Sequence, residues 1–231
     1  MRIISIIQAR MGSTRLPGKA MLPLAGKPLT YRLLERVKRA RMIQDIVLAV
    51  PDGPKEQPLR EVAAALDIGC IDAYPTDEND LVTRHLEAAE WAQADLIVRI
   101  PGDNPCVDQA YIDQAIRTYL HEPHLYYSNT TDLCGDVWLD GIGAEVFSLS
   151  RLQWLDAKLG KGDVYYREHP HAWFLDHRLY DLHQADYRLD VNTQEDYEYV
   201  KDIFEACYRV RPEFTSADVV QYLDHRDQVH G

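Results

Sequence analysis

Apolar runs and polar segments alternate along this chain from its first residues. Ile3, Ile4, Ile6 and Ile7, interrupted by Ser5, form a short β-branched run of the kind found in a strand covered on both faces. The segment 9–19 that follows carries Gly12, Ser13, Pro17 and Gly18 and reads as a long turn. Pro28 suits a first helical turn, and Leu29, Leu33, Leu34 and Val37 then recur at helical spacing. Further strands are predicted at 46–50, 69–73 and 96–100, with helices at 57–66, 80–92 and 109–120. Strict β-α alternation requires right-handed crossovers. It therefore predicts a mostly parallel sheet with helices on both faces, a three-layer α/β/α Rossmann-like architecture. Beyond residue 122 the pattern is less regular, with strands expected at 125–129, 143–147 and 187–191 and helices at 149–158, 194–208 and 216–225. These are expected to complete the same sheet and to add a covering element. No repeat or linker divides the chain, so one domain is expected over 1–231, with a first half to residue 122 and a second from 123.

Composition narrows the class. Of 231 residues, 46% are hydrophobic and 10% aromatic, enough to bury a core and to exclude disorder as the dominant state. No apolar stretch approaches the roughly 20 residues of a membrane span, and none resembles a secretory leader, so a cytoplasmic protein with no membrane partner is expected. Cys70, Cys106, Cys134 and Cys207 are widely scattered, without CxxC or HExxH spacing, and are expected to be free thiols.

The formal charge of −12 is unevenly distributed. Residues 1–41 hold Arg2, Arg10, Arg15, Lys19, Lys27, Arg32, Arg36, Lys38, Arg39 and Arg41 against a single acid, Glu35. An acidic body argues against nucleic acid as a partner, whereas a basic N-terminal patch suits a small polyanion. Arg32, Arg36, Lys38, Arg39 and Arg41 read as the solvated face of a helix. Arg10, Arg15 and Lys19 lie instead in the loop before it.

In a doubly wound sheet the ligand site lies outside the carboxyl ends of the strands. The unusual chemistry falls there. After the first strand comes the run QARMGSTRLPGK, from Gln8 to Lys19, with three cations, two hydroxyls and two glycines. Glycine lets backbone N–H groups approach a phosphate, Arg offers forked donors and Lys a mobile point charge. The run is neither a P-loop, since Ala20 follows Lys19, nor a GxGxxG dinucleotide fingerprint. Asp103 follows the fourth strand and Asp190 ends a late one. On spacing alone each is equally a turn or capping residue and a metal ligand.

The run QARMGSTRLPGK strongly resembles the N-terminal signature of the cytidylyltransferases that activate acidic sugars, most closely their SpsF-like branch. Further matches follow in family order: Asp80-Leu81-Val82-Thr83-Arg84, Arg99-Ile100-Pro101-Gly102-Asp103-Asn104-Pro105 and Asp140-Gly141-Ile142-Gly143-Ala144-Glu145-Val146-Phe147. Arg167-Glu168-His169 and Arg188-Leu189-Asp190-Val191-Asn192 close the set, which spans nearly the whole chain. The resemblance implies a nucleotide-diphospho-sugar transferase fold, CTP as donor, transfer of CMP to a sugar or sugar-like acid, and release of pyrophosphate for surface polysaccharide synthesis. It further implies that Arg10, Arg15 and Lys19 hold the triphosphate and, with Asp103, carry catalysis. Gln8, Ala9, Met11, Gly12, Ser13 and Gly102 complete the implied nucleotide site. Asp103 and Asp190 would hold Mg²⁺, and Arg84, Asp140, Arg167, Glu168 and His169 would face the acceptor. The first half thus becomes the nucleotide half and the second the acceptor half. A homodimer is a further implication.

Two departures stand out: Pro101 replaces a residue with side-chain hydrogen-bonding capacity, and Pro170-His171 follows His169 where the branch usually carries Val-Thr. A glycosyltransferase on the same fold is the principal alternative. Such enzymes generally use an Asp-x-Asp metal signature, which is absent from this sequence. A nucleotide-binding homologue without catalysis is the other.

Overall fold

The computed structural model describes residues 1–73, 79–121, 126–160, 162–176 and 185–230. Residue 125 of the expected strand 125–129, the 122/123 boundary and His124, His177 and His183 lie outside the described residues.

The N-terminal alternation forms as expected. Strands β1 (Ile3–Gln8), β4 (Asp45–Pro51), β5 (Gly69–Ala73) and β6 (Leu96–Ile100) pair in parallel, in the order β5-β4-β1-β6. The short strands β2 (Pro23–Leu24) and β3 (Lys27–Pro28) form a hairpin between β1 and α1 (Leu29–Val37). Helices α2 (Gln57–Ala65), α3 (Leu81–Trp91) and α4 (Gln109–His121) follow β4, β5 and β6. Both faces of the sheet are covered because its strands are apolar on both sides. Ile3, Ile7, Leu48 and Val98 pack with Leu33, Leu34, Leu59, Ile112 and Ile116 of α1, α2 and α4. Ile4, Ile6, Val47 and Ile97 pack with Val82, Ala88, Leu152 and Phe174 on the opposite face. Helix α3 begins at Asp80, whose carboxylate accepts the Thr83 N–H at 3.0 Å and so satisfies one of the orphan donors of the first turn.

The second half departs from a simple continuation of the sheet. β7 (Tyr127–Ser128) and β10 (Glu145–Ser148) do complete it, both in antiparallel pairings, giving the order β5-β4-β1-β6-β10-β7. The expected strand at 187–191 shrinks to β11 (Tyr187–Arg188), which pairs not with the main sheet but with β9 (Val137–Asp140). β8 (Thr131–Cys134) completes this separate three-stranded sheet. The physical reason lies in alternation: Leu189 and Val191 are buried, whereas Arg188 is exposed, so the segment has only one apolar face to cover. That face packs on α8 (Gln194–Val210) and α9 (Ser216–His230) through Tyr197, Val200, Phe204 and Leu223. Helices α5 (Leu149–Lys158), α6 (Val164–Glu168) and α7 (Pro170–Asp176) close the other flank. The four cysteines are free.

Two cations of the expected solvated face of α1 are instead interior. Arg32 is 6% exposed and Arg36 only 1%. The Arg32 guanidinium donates to Leu24 O at 3.1 Å and the Tyr208 hydroxyl at 2.8 Å. Arg36 donates to Val107 O at 2.7 Å and Phe214 O at 3.0 Å, with its guanidinium 3.9 Å from the Phe214 ring centre. Both arginines staple α1 to chain ends that loop back over it, and burial pushes the Arg36 guanidinium below its ordinary range.

Arg36→Ala is therefore expected to cost about 3 kcal/mol of unfolding free energy, because carbonyls lose donors and a cavity opens. Arg39→Ala, half-buried in the turn just after α1 with one guanidinium bond to Pro212 O at 3.1 Å, is expected to cost no more than about 1 kcal/mol. Urea denaturation of the two variants checks the contrast.

Candidate active site

Parallel pairing of β1 between β4 and β6 brings the loops that leave β1 and β6 to one edge of the sheet. Gly102 permits their close approach: a Cβ there would lie 2.1 Å from the Gln8 carbonyl oxygen, a backbone atom that cannot move aside. The two loops, the small sheet and the start of α3 enclose a cleft of about 900 Å³.

Most of the expected site residues line this cleft. Gln8 ends β1, Ala9, Arg10, Ser13, Arg15 and Lys19 come from the loop after it, and Gly102 and Asp103 come from the loop after β6. Arg84, Asp140, Glu168, His169 and Asp190 form the remaining walls. Lys19 donates to Asp103 Oδ2 at 3.0 Å and to Val191 O at 2.6 Å, while Val191 N–H donates to Asp103 O at 2.9 Å. Arg10 donates to Asn79 Oδ1 at 3.0 Å. Asp190 is gripped by Arg188 through both carboxylate oxygens, at 3.1 and 2.8 Å, and by the Asn192 amide. Asp140 accepts from the Thr131 hydroxyl at 2.8 Å, and burial raises its carboxyl above the usual range.

Three expected site residues do not face the cleft. Met11 and Gly12 are absent from its lining, and the Met11 N–H is donated to Glu56 Oε2 at 2.8 Å. Arg167 does not line the cleft either and instead joins helices. Its Nη1 donates to Asp80 at 3.0 Å and its Nη2 to Asp156 at 2.9 Å, and it also reaches the carbonyls of Leu159 and Gly160. With its donor fork spent on these four groups, Arg167 ties α3, α5 and α6 together, which corrects its expected acceptor contact.

The cleft also contains charged groups that lie in or beside the matching motifs but were not among the expected site residues. Arg99 and Glu145 stand opposite one another on β6 and β10, almost wholly buried, and form an ion pair. His171 approaches the same carboxylate with Nδ1 at 3.9 Å. Burial lowers the His171 pKa, with Glu145 opposing and Arg99 reinforcing the effect. One signal was visible: an arginine in the otherwise apolar strand Leu96–Ile100 must find a partner.

A model of the cytidylyltransferase family matches residues 4–221. The chain belongs to that family. Over 238 residues it is 29% identical to the spore coat polysaccharide biosynthesis protein SpsF of Bacillus subtilis, covering 96% of this chain and 94% of that one. A 3-deoxy-manno-octulosonate cytidylyltransferase of Trichlorobacter lovleyi is 37% identical over 125 residues, which is 54% of this chain and 48% of the relative. The solved structure of a cytidylyltransferase from Leptospira borgpetersenii has a TM-score of 0.83 at 28% identity, covering 99% of this chain and 96% of that one. The protein is thus a nucleotidyltransferase of a CTP-using family. Among the described residues no helix is long and apolar enough to cross a membrane.

Behind the Arg99 pair of this cytidylyltransferase, His85 is buried on α3, its Nδ1–H donated to Leu81 O at 2.7 Å. Burial, reinforced by the Arg99 charge, pushes its pKa down to about 3. An unfolded His takes a proton near 6.5, so between these values the unfolded state binds more protons than the folded one. Stability is therefore expected to fall as pH drops from about 6.5 toward 3, by up to about 1.4 kcal/mol per unit from this group. Above that window the contribution is constant. Urea titrations at stepped pH on the wild type and His85→Leu check this: the variant should lose the corresponding part of the slope.

Proposed function

We propose that the protein catalyses metal-dependent transfer of CMP from CTP to an oxygen of a sugar or sugar-like acid, releasing pyrophosphate, in the synthesis of a surface polysaccharide. The observation that carries the reading is the junction at Lys19, where the cationic loop meets the Asp103 and Asp190 segments in one cleft. Arg10, Arg15 and Lys19 supply cations to triphosphate oxygens, and Gln8, Ala9, Ser13 and Gly102 line the remainder of the nucleotide path. An acceptor oxygen forms a bond to the α-phosphorus while the bond from that phosphorus to the α–β bridging oxygen breaks. Phosphoryl-type transfer is catalysed mainly by positioning and charge neutralisation, so a set of forked and point cations is the machinery required.

Mg²⁺ fits the donor set. Among the described residues no group of three or more His, Cys, Asp or Glu forms a metal cage. Mg²⁺ does not need one, since it takes one or two carboxylates together with phosphate oxygens and water. Asp103 and Asp190 would hold it, and when bound it would neutralise charge on the phosphates. The hydrogen bond from Val191 N–H to Asp103 O keeps the two carboxylate-bearing segments adjacent. On the acceptor side, Arg84 offers a cation to a carboxylate, while Asp140, Glu168 and His169 offer acceptors to hydroxyls. In this reading His169, which lines the cleft, takes the proton lost by the attacking oxygen.

Titration calorimetry with CTP, UTP, GTP and ATP, each with and without Mg²⁺, tests the donor. Binding of CTP strengthened by Mg²⁺ and exceeding the others is the expected result; preference for another nucleotide, or none, sinks it. Pyrophosphate release across a panel of sugar acids then tests the transfer.

Two substitutions test the assigned roles. Arg15→Ala is expected to lower turnover by about 10²–10³, and a change confined to KM would make Arg15 a ground-state binder only. Asp103→Ala is expected to abolish Mg²⁺-dependent turnover with the fold intact by circular dichroism. Near wild-type activity would place the metal elsewhere.

A further inference from the structure

The loop from Ala9 to Ser13 alternates in direction. Ala9, Arg10 and Ser13 face the cleft, whereas Met11 and Gly12 between them do not. Something must hold the chain in this reversal, and the side chain that does so is not in the cleft. Glu56 is 0% exposed and lies behind the loop. It ends a short turn, Pro54–Glu56, entered through Gly53 at φ +126°, and it immediately precedes α2. Its carboxylate makes no capping hydrogen bond to its own helix. Instead Oε2 accepts the Met11 N–H at 2.8 Å, across 45 residues of sequence.

The cost of this arrangement is informative. A carboxylate removed from water needs compensation, and here one oxygen has the Met11 N–H while Oε1 has no hydrogen-bond partner. The Lys55 ammonium lies 3.9 Å from Oε1, and the positive end of α2 adds partial stabilisation. An apolar side chain would fill the same space without leaving a carboxylate oxygen unbonded. What it could not do is hold the Met11 amide. Met11 itself packs on the core beneath the sheet's loop edge, so the pin fixes its backbone from one side and its side chain from the other.

We propose that Glu56 is a positioning residue for the nucleotide loop: by taking the Met11 N–H out of the cleft, it orients Arg10 and Ser13, on either side, toward the triphosphate. The inference rests on the reading of this loop as the CTP phosphate cradle. Glu56 touches no substrate in this role. Its effect passes through the Met11 peptide, and it depends on an acceptor oxygen at that place more than on the negative charge.

Glu56→Ala and Glu56→Gln separate these contributions, because Gln retains an acceptor oxygen. Calorimetry with CTP is expected to show Glu56→Ala binding at least about tenfold more weakly than wild type, and Glu56→Gln within about threefold of it. The steady-state effect of Glu56→Ala is expected mainly in KM for CTP. Equal CTP affinity in all three proteins overturns the proposal. So does equal weakening in both variants alongside equal loss of melting temperature, the pattern of a merely structural role. Amide hydrogen exchange on the nucleotide-free wild type gives an independent reading should Glu56→Ala fail to fold. The Met11 amide is expected to be protected like those of β1, and rapid exchange overturns the pin. If the wild type fails to bind CTP while the Met11 amide is protected, the proposed function falls and the pin stands.

Discussion

The cleft depends on one ammonium group shared between two of its walls. Lys19 leaves the loop after β1, yet its Nζ is held by Asp103 beyond β6 and by the carbonyl of Val191, which follows the small sheet. These segments are 84 and 172 residues away. The hydrophobic cluster under the small sheet takes in Leu16, Leu24, Leu29 and Cys106 from the first half, so apolar packing brings the two parts together and the Lys19 bonds are polar contacts that fix the walls at the site itself. The backbone bond from Val191 to Asp103 is the second such contact. Gly102 makes the geometry possible, since any side chain there would push the β6 loop off the Gln8 carbonyl and carry Asp103 away from Lys19.

The first half of the fold was legible because its strands obey a strong physical rule. A strand covered on both faces must be apolar throughout, and Ile3 to Ile7 satisfies it with only Ser5 intervening. The second half follows a weaker rule. Leu189 and Val191 mark one apolar face, which is compatible with any sheet having one covered side, and only the position of α8 and α9 decides which sheet that is. The same limitation misplaced Arg32 and Arg36. Their spacing on α1 is that of a solvated face, but Tyr208 and Phe214 from the far end of the chain cover them. A sequence pattern shows which face is polar and not what later returns to cover it.

The site divides along the same line. Gln8 to Lys19 was legible because its chemistry is local: cations, glycines and hydroxyls within a dozen residues, at a strand's carboxyl end. Asp103 and Asp190 were legible as paired candidates only through the resemblance, since turns and caps use the same residue. Arg167 shows the converse. It lies in a matching motif, yet its guanidinium serves Asp80 and Asp156. Glu56 and the Arg99–Glu145 pair escaped notice because their meaning is a partner 45 or 46 residues distant.

The buried Arg99–Glu145 pair is a polar contact of a different kind. A buried ion pair is weak as a stabilising device, since an apolar replacement of similar volume is often neutral or better. What it presents to the cleft is a set of polar atoms of no net charge. Burial lowers the pKa of His171 beside it, which favours the neutral imidazole and leaves the pair's charge balance undisturbed. The loop after β1, by contrast, brings Arg10, Arg15 and Lys19 to the cleft, with Asp103 as the counter-charge of Lys19. Turning Met11 away from the cleft keeps the loop's lining polar in the same way, since it leaves charged Arg10 and hydroxyl-bearing Ser13 facing the cleft with no apolar side chain between them.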